Sequence, residues 1–78
     1  MAGKIESVEV KSAEVATAIA QSVLESEYAF RRPIKAQKVK GVWHVQIDVG
    51  AFKPQIASFK IDAQTGTIIE YNVSGVLS

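Results

Sequence analysis

Cysteine is absent from this 78-residue chain. Disulfides, thiolate nucleophiles and cysteine-held metals are therefore excluded together. Histidine occurs once, at His44, too few imidazoles for a zinc site without thiolates. Glycine is scarce and scattered: Gly41, Gly50 and Gly66 stand apart, so no glycine-rich loop exists to cradle a phosphate. Long apolar runs are missing too. The first ten residues, MAGKIESVEV, hold none, and the most apolar helical segment is interrupted by Thr17, Gln21 and Ser22. Neither a signal peptide nor a transmembrane helix is expected. The default location is then cytoplasmic, unless the chain was trimmed from a secreted or anchored precursor.

What remains is ordinary globular material, 47% hydrophobic and 22% charged, which argues against disorder. The length fits one domain spanning residues 1–78. A chain this short buries only about 60 to 65% of its unfolded surface and is stable by a few kcal/mol. It has no mass to spare for a deep, dry cleft. With no covalent staple, the apolar core or a partner subunit must hold the fold.

The net charge of +1 is unevenly spread. Residues 1–30 carry two basic against five acidic side chains; residues 31–60 carry seven basic against one acidic, Asp48. The middle third is basic enough to attract an anionic partner.

Residues 59–71, FKIDAQTGTIIEY, predict a tight antiparallel hairpin. Asp62 can accept hydrogen bonds from turn amides, and Gly66 can take the positive φ that such a turn requires. Upstream, residues 5–10 alternate loosely, as in a short first strand. Ser12 is a suitable N-cap, and Glu14 complements the positive end of a helix dipole. Val15, Ala16, Ile19, Ala20, Val23 and Leu24 then recur at helical spacing. Pro33 requires the helix to end earlier, near residues 27–30.

Beyond Pro33 the period changes. Residues 34–40 read as a highly charged strand, with Gly41 ending or bulging it. Residues 42–49 alternate cleanly, with Trp43, Val45, Ile47 and Val49 on one face and His44, Gln46 and Asp48 on the other. Residues 50–54 form a loop. Residues 56–61 and 67–73 supply two further strands, the last placing Ile69, Tyr71 and Val73 on one face. The expected fold is α+β: one amphipathic helix packed on a curved antiparallel sheet of about four strands. Trp43, Phe59 and Ile69 are expected at the centre of the core. The opposite sheet face, with His44, Gln46, Asp48, Ser58 and Lys60, is expected to meet solvent or a partner.

In this order of elements the chain resembles PepSY-like domains, small modules of metalloprotease propeptides and regulatory proteins. Residues 12–20 (SAEVATAIA) are similar to the family's capped helix, residues 42–47 (VWHVQI) to its central strand, and residues 59–69 (FKIDAQTGTII) to its closing hairpin. Asp62, Ala63, Thr65 and Gly66 are the most distinctive part of the likeness. The resemblance implies a non-catalytic module that inhibits, chaperones or regulates a protein partner. Gln46-Ile47-Asp48-Val49-Gly50 is similar to the Q-x-V-x-G loop of cystatins, with Asp48 where that motif has valine.

No catalytic constellation emerges. Asp48 is four strand residues from His44, about 13 Å, too far to orient the ring. Ser58 shares the predicted face but lacks a nucleophile-elbow sequence. Asp48, Asp62 and Glu70 do not have the spacing of a calcium loop. The expectation is no enzyme activity, no metal and no cofactor.

One segment suggests binding. Arg31, Arg32, Lys35, Lys38 and Lys40, with His44 nearby, form a candidate interaction surface. Two functions fit it. The preferred one is a non-enzymatic protein-interaction or regulatory module, inhibitory in some settings, that acts on a protein partner or as a homodimer. The alternative is a small nucleic-acid-binding protein using residues 31–40, with Phe30 and Trp43 as stacking aromatics. Two points weigh against the alternative: Trp43 is predicted to be buried, and basic residues on a sheet edge also deter unwanted strand pairing.

Overall fold

The computed structural model describes residues 9–75. Helix α1 spans Ala13–Leu24, followed by strands β1 (Arg32–Val39), β2 (Val42–Asp48), β3 (Gln55–Asp62) and β4 (Ile68–Gly75). The strands pair antiparallel in the order β1-β2-β3-β4, an open sheet with β1 and β4 at its edges. One helix packed on a four-stranded antiparallel sheet is the α+β architecture that the periodicities predict. Of the first strand expected over residues 5–10, residues 5–8 lie outside the described region. Glu9 and Val10 belong to no strand, although the Val10 amide donates to the Ala63 carbonyl at 2.7 Å.

The helix begins where its chemistry dictates. Ser12 holds an extended conformation and its hydroxyl accepts the Val15 amide at 3.2 Å, with Glu14 in the first turn. Ala16, Ala20 and Leu24 are buried, Ile19 and Val23 pack at the core margin, and Val15 is left at the exposed rim. The helix stops at Leu24, short of the expected residues 27–30. Both the Glu27 and Tyr28 amides turn back to the Leu24 carbonyl. Glu25, Ser26 and Glu27 offer no apolar side chain to prolong the stripe, whereas Tyr28 folds back against the core.

Two hairpins and a loop order the sheet. Between β1 and β2, Lys40 (φ 51°) and Gly41 (φ 78°) make a two-residue turn with both φ values positive, the geometry that matches strand twist. Between β3 and β4, Asp62 Oδ1 accepts the Gln64 amide at 2.8 Å, and the Asp62 carbonyl accepts the Gly66 amide. Gly66 has φ 79°. Asp62 thus serves the turn, as expected.

Both edge strands carry a bulge. On β1, Pro33 faces Ile47 and Lys35 faces Gln46, so Ile34 has no partner. On β4, Glu70 faces Lys60 and Ile68 faces Ile61, which leaves Ile69 without one. The extra residue shifts the alternation by one. Ile68 turns inward while Ile69 is 55% exposed, so Ile69 does not belong to the core as its spacing suggested. Phe59 takes the central place, fully buried between Val45 on β2 and Tyr71 on β4. Its ring stacks on Tyr71 with centroids 4.7 Å apart and planes within 9°.

Helix α1 lies over β1 and β2. Trp43, buried beneath it, donates its indole N–H to the Val10 carbonyl at 2.9 Å, pinning the segment that leads into the helix. That bond satisfies the one polar atom of a side chain otherwise committed to the core.

Candidate functional site

The basic residues of 31–40 do not form a flat patch. Arg31 is half-buried and donates to the Tyr28 carbonyl. Arg32 pairs with Asp48, Nη2 to Oδ2 at 3.3 Å. Lys35, opposite Gln46, stands on the outer sheet face, whereas Lys38, opposite the buried Trp43, stands on the helix side. Lys40 occupies the turn. The cations thus run along an edge, above and below it. Trp43 is enclosed and unavailable for stacking on a base.

Asp48 departs from its expected place on an open face. It is buried, with Oδ1 accepting the Gly50 amide at 2.9 Å and Oδ2 facing Arg32. The Gly50 amide, and after it Gln55 and Arg32, holds the carboxyl below its ordinary pKa despite the opposing effect of burial. Asp48 is therefore a structural clamp for the β2–β3 loop. The cystatin-like letters around it belong to β2 and its immediate exit, paired on both sides, not to a projecting loop. What projects is Phe52, 99% exposed, in a loop closed at its base by the Val49 amide donating to the Gln55 carbonyl at 2.8 Å.

His44 lines a shallow hollow of about 120 Å³ on the outer face with Gln46, Ser58, Lys60, Glu70 and Asn72. Glu70 is the carboxylate in this hollow, yet it is held by Lys60 at 3.1 Å. Lys60 pairs with His44 on one side and Glu70 on the other. The backbones of His44 and Glu70 are thus two strand spacings apart, about 9 to 10 Å. Ser58 faces Gln46 and Asn72 rather than His44. The face is a polar sheet surface on which Lys60 and Glu70 pair.

A feature that the one-dimensional pattern hid lies between α1 and β1. An open groove of about 450 Å³ runs there, walled by Ala13, Glu14, Thr17, Ala18 and Gln21 of the helix and by Pro33, Ile34, Lys35 and Ala36 of the strand. Among the described residues nothing pairs with the outer edge of β1, and all its residues except the half-buried Ala36 are exposed. The signal available in the sequence was the run of small residues Ala13, Thr17 and Ala18 beside the inward stripe. Among the same residues no helix is long and apolar enough to cross a membrane. No protein-family model matches this chain, and no match is found among curated proteins or solved structures.

Proposed function

We propose that this protein is a non-enzymatic, PepSY-like interaction module that regulates a protein partner. The observation that supports this best is the edge of β1, unpaired among the described residues, beside the α1 groove: a row of exposed backbone donors and acceptors with a slot of small and polar side chains above it. Such an edge accepts a partner by strand addition, main-chain bonds giving affinity and the slot giving selectivity. The order of a capped helix, a central strand with an inward aromatic and a closing hairpin agrees with the family resemblance. Affinity capture from the source lysate with the intact chain, followed by mass spectrometry, tests the reading. A protein retained in stoichiometric amount supports it, and turnover of a small molecule by the purified chain would sink it.

A homodimer is the second reading, favoured by the other edge. β4 carries one charge, Glu70, already held by Lys60, and exposes Ile69 and Tyr71. An uncharged edge of that kind invites pairing with its own copy. Sedimentation showing a monomer at all concentrations would remove it. Nucleic-acid binding through residues 31–40 draws less from the geometry, because the cations straddle an edge and Trp43 is enclosed. Its sign would be RNA affinity that collapses with salt.

A further inference from the structure

The geometry points to the occupant of the β1 edge: an extended, acidic segment of another protein, added as a fifth strand beside β1 with alternate side chains entering the α1 groove. This assignment rests on the reading of the chain as a protein-binding module and specifies its site and ligand chemistry.

Three observations converge. The first is the edge itself, unpaired among the described residues over eight positions, of which the five after the bulge, residues 35–39, are regularly paired to β2. A strand laid 4.7 to 4.9 Å away along them finds its backbone partners already extended. The second is the groove. Ala13, Thr17, Ala18, Ile34 and Ala36, with Glu14, Gln21 and Lys35 also in its wall, leave about 450 Å³ on the helix side of that line, space for short uncharged side chains at every second position of an added strand. The third is charge. Lys35 on the outer face, Lys38 on the helix side and Lys40 at the turn flank the edge; among the described residues none makes an ion pair, and Glu9 and Asp62 share a hollow with Lys38 and Lys40, which leaves Lys35 the least compensated. Among the described residues Arg32 is the one cation of the strand with an acidic partner.

Charge also decides between occupants. Cations on an edge exclude strands of like charge, and a second copy of β1 would bring its own row of cations against this one. The edge is therefore closed to its own kind. The same charges favour a strand carrying carboxylates on its outer face, the side of Lys35, so the guard acts as a selector. β4 has no comparable complement, since its single charge is internally paired.

The probe is a blocked eight-residue peptide alternating valine and glutamate, compared with its valine–lysine analogue and with a version N-methylated along one backbone edge. Amide shifts and hydrogen exchange of the intact protein report where each binds. The acidic peptide is expected to shift and protect residues 35–39. Its affinity should fall by about tenfold or more from low to high salt, and the lysine and N-methylated peptides should bind at least about tenfold more weakly. Lys35→Glu with Lys38→Glu, both on an exposed strand, should reverse the preference. Lys35→Gln with Lys38→Gln should weaken acidic binding without favouring the basic peptide.

Shifts confined to β4 or to the outer face, equal binding of the N-methylated peptide, or no shift in β1 would each overturn the assignment. So would displacement of the peptide by a single-stranded oligothymidylate that binds more tightly. Lysate capture separates this proposal from the broader reading. A partner retained equally by the wild type and the Lys35→Glu/Lys38→Glu variant leaves the interaction module standing and removes its β1 site. Peptide binding at β1 with no protein captured leaves the site standing and removes the broader role.

Discussion

Arg32 and Asp48 face each other across β1 and β2, Nη2 3.3 Å from Oδ2, and the same carboxylate caps the Gly50 amide. One side chain therefore ties the basic edge strand to the loop that presents Phe52. Its pKa is lowered in the fold, above all by the Gly50 amide. A carboxyl lowered in this way contributes stability above its unfolded value and loses that contribution as pH falls through its folded value. The unfolding temperature of the wild type should drop more steeply on acidification below about pH 4 than that of Asp48→Asn, which keeps an acceptor for Gly50 but cannot titrate. Asp48→Ala should be less stable than Asp48→Asn at neutral pH. Parallel acid slopes would show that another group controls the transition.

The loop that Asp48 closes is also guarded by Gly50. A Cβ built on it would lie 1.7 Å from the Lys53 carbonyl oxygen, a backbone atom that cannot swing aside. Gly50→Ala should cost about 1 to 3 kcal/mol in urea unfolding and change the amide shifts of residues 49–55. Phe52→Ala, which removes a fully exposed ring, should leave stability within about 0.5 kcal/mol. A neutral Gly50→Ala would mean that the loop is wider than described.

The hairpin between β1 and β2 contains a correctable defect. Lys40 has φ 51°, a conformation costly for a side chain without a short hydrogen-bonding group, ahead of Gly41 at φ 78°. Lys40→Asn creates the favoured pair for this turn and should raise stability by up to about 1 kcal/mol. The thermal midpoint should rise and β1–β2 amide exchange should slow. A loss of stability would overturn the turn assignment.

Much of the architecture was legible in the sequence because local rules and tertiary packing agree. Ser12 caps, Asp62 and Gly66 turn, and Trp43, Val45 and Ile47 alternate inward as read. Legibility failed where the chain departs from strict alternation. Inserting Ile34 or Ile69 as an extra residue leaves no mark in a two-residue period until the pairing partner is known. Asp48 was misplaced for a related reason: its strand phase points outward, but the loop folds back over it and Arg32 leans across it. The candidate surface was found by its charge. Its shape, an edge with a groove above it, required the flank of α1 to be seen against β1.

The β4 bulge separates two residues that the sequence placed together in the core. Phe59 is fully buried and stacked on Tyr71, so Phe59→Ala should cost about 3 to 5 kcal/mol. Ile69→Ser, at the extruded position, should fall within about 0.5 kcal/mol of wild type. The Tyr71 phenol is raised above its ordinary pKa by burial, with Tyr28 and Glu27 adding to the shift. Its stabilising share is present below the ordinary phenol value and is lost as pH climbs through the folded one. Tyr71→Phe should therefore flatten the alkaline limb of stability against pH. A large loss at Ile69 would restore the unbulged register.

Trp43 provides an optical check on the packing of helix against sheet. Its ring is buried in the core cluster that includes Ala16, Ala20 and Leu24 of α1, and its indole N–H reaches the carbonyl of Val10 ahead of the helix. Folded-state emission should therefore lie well to the blue of a solvated indole and should shift red in a single step with unfolding. Trp43→Phe keeps most of the apolar volume and removes the donor, so it should cost about 1 to 3 kcal/mol, from the unmet carbonyl and the small void. Exchange at the Val10 amide, which donates to Ala63, should accelerate in the variant more than exchange in β3. Water-like emission from the native protein would mean that α1 does not cover β2, and the groove beside β1 would then lose its upper wall.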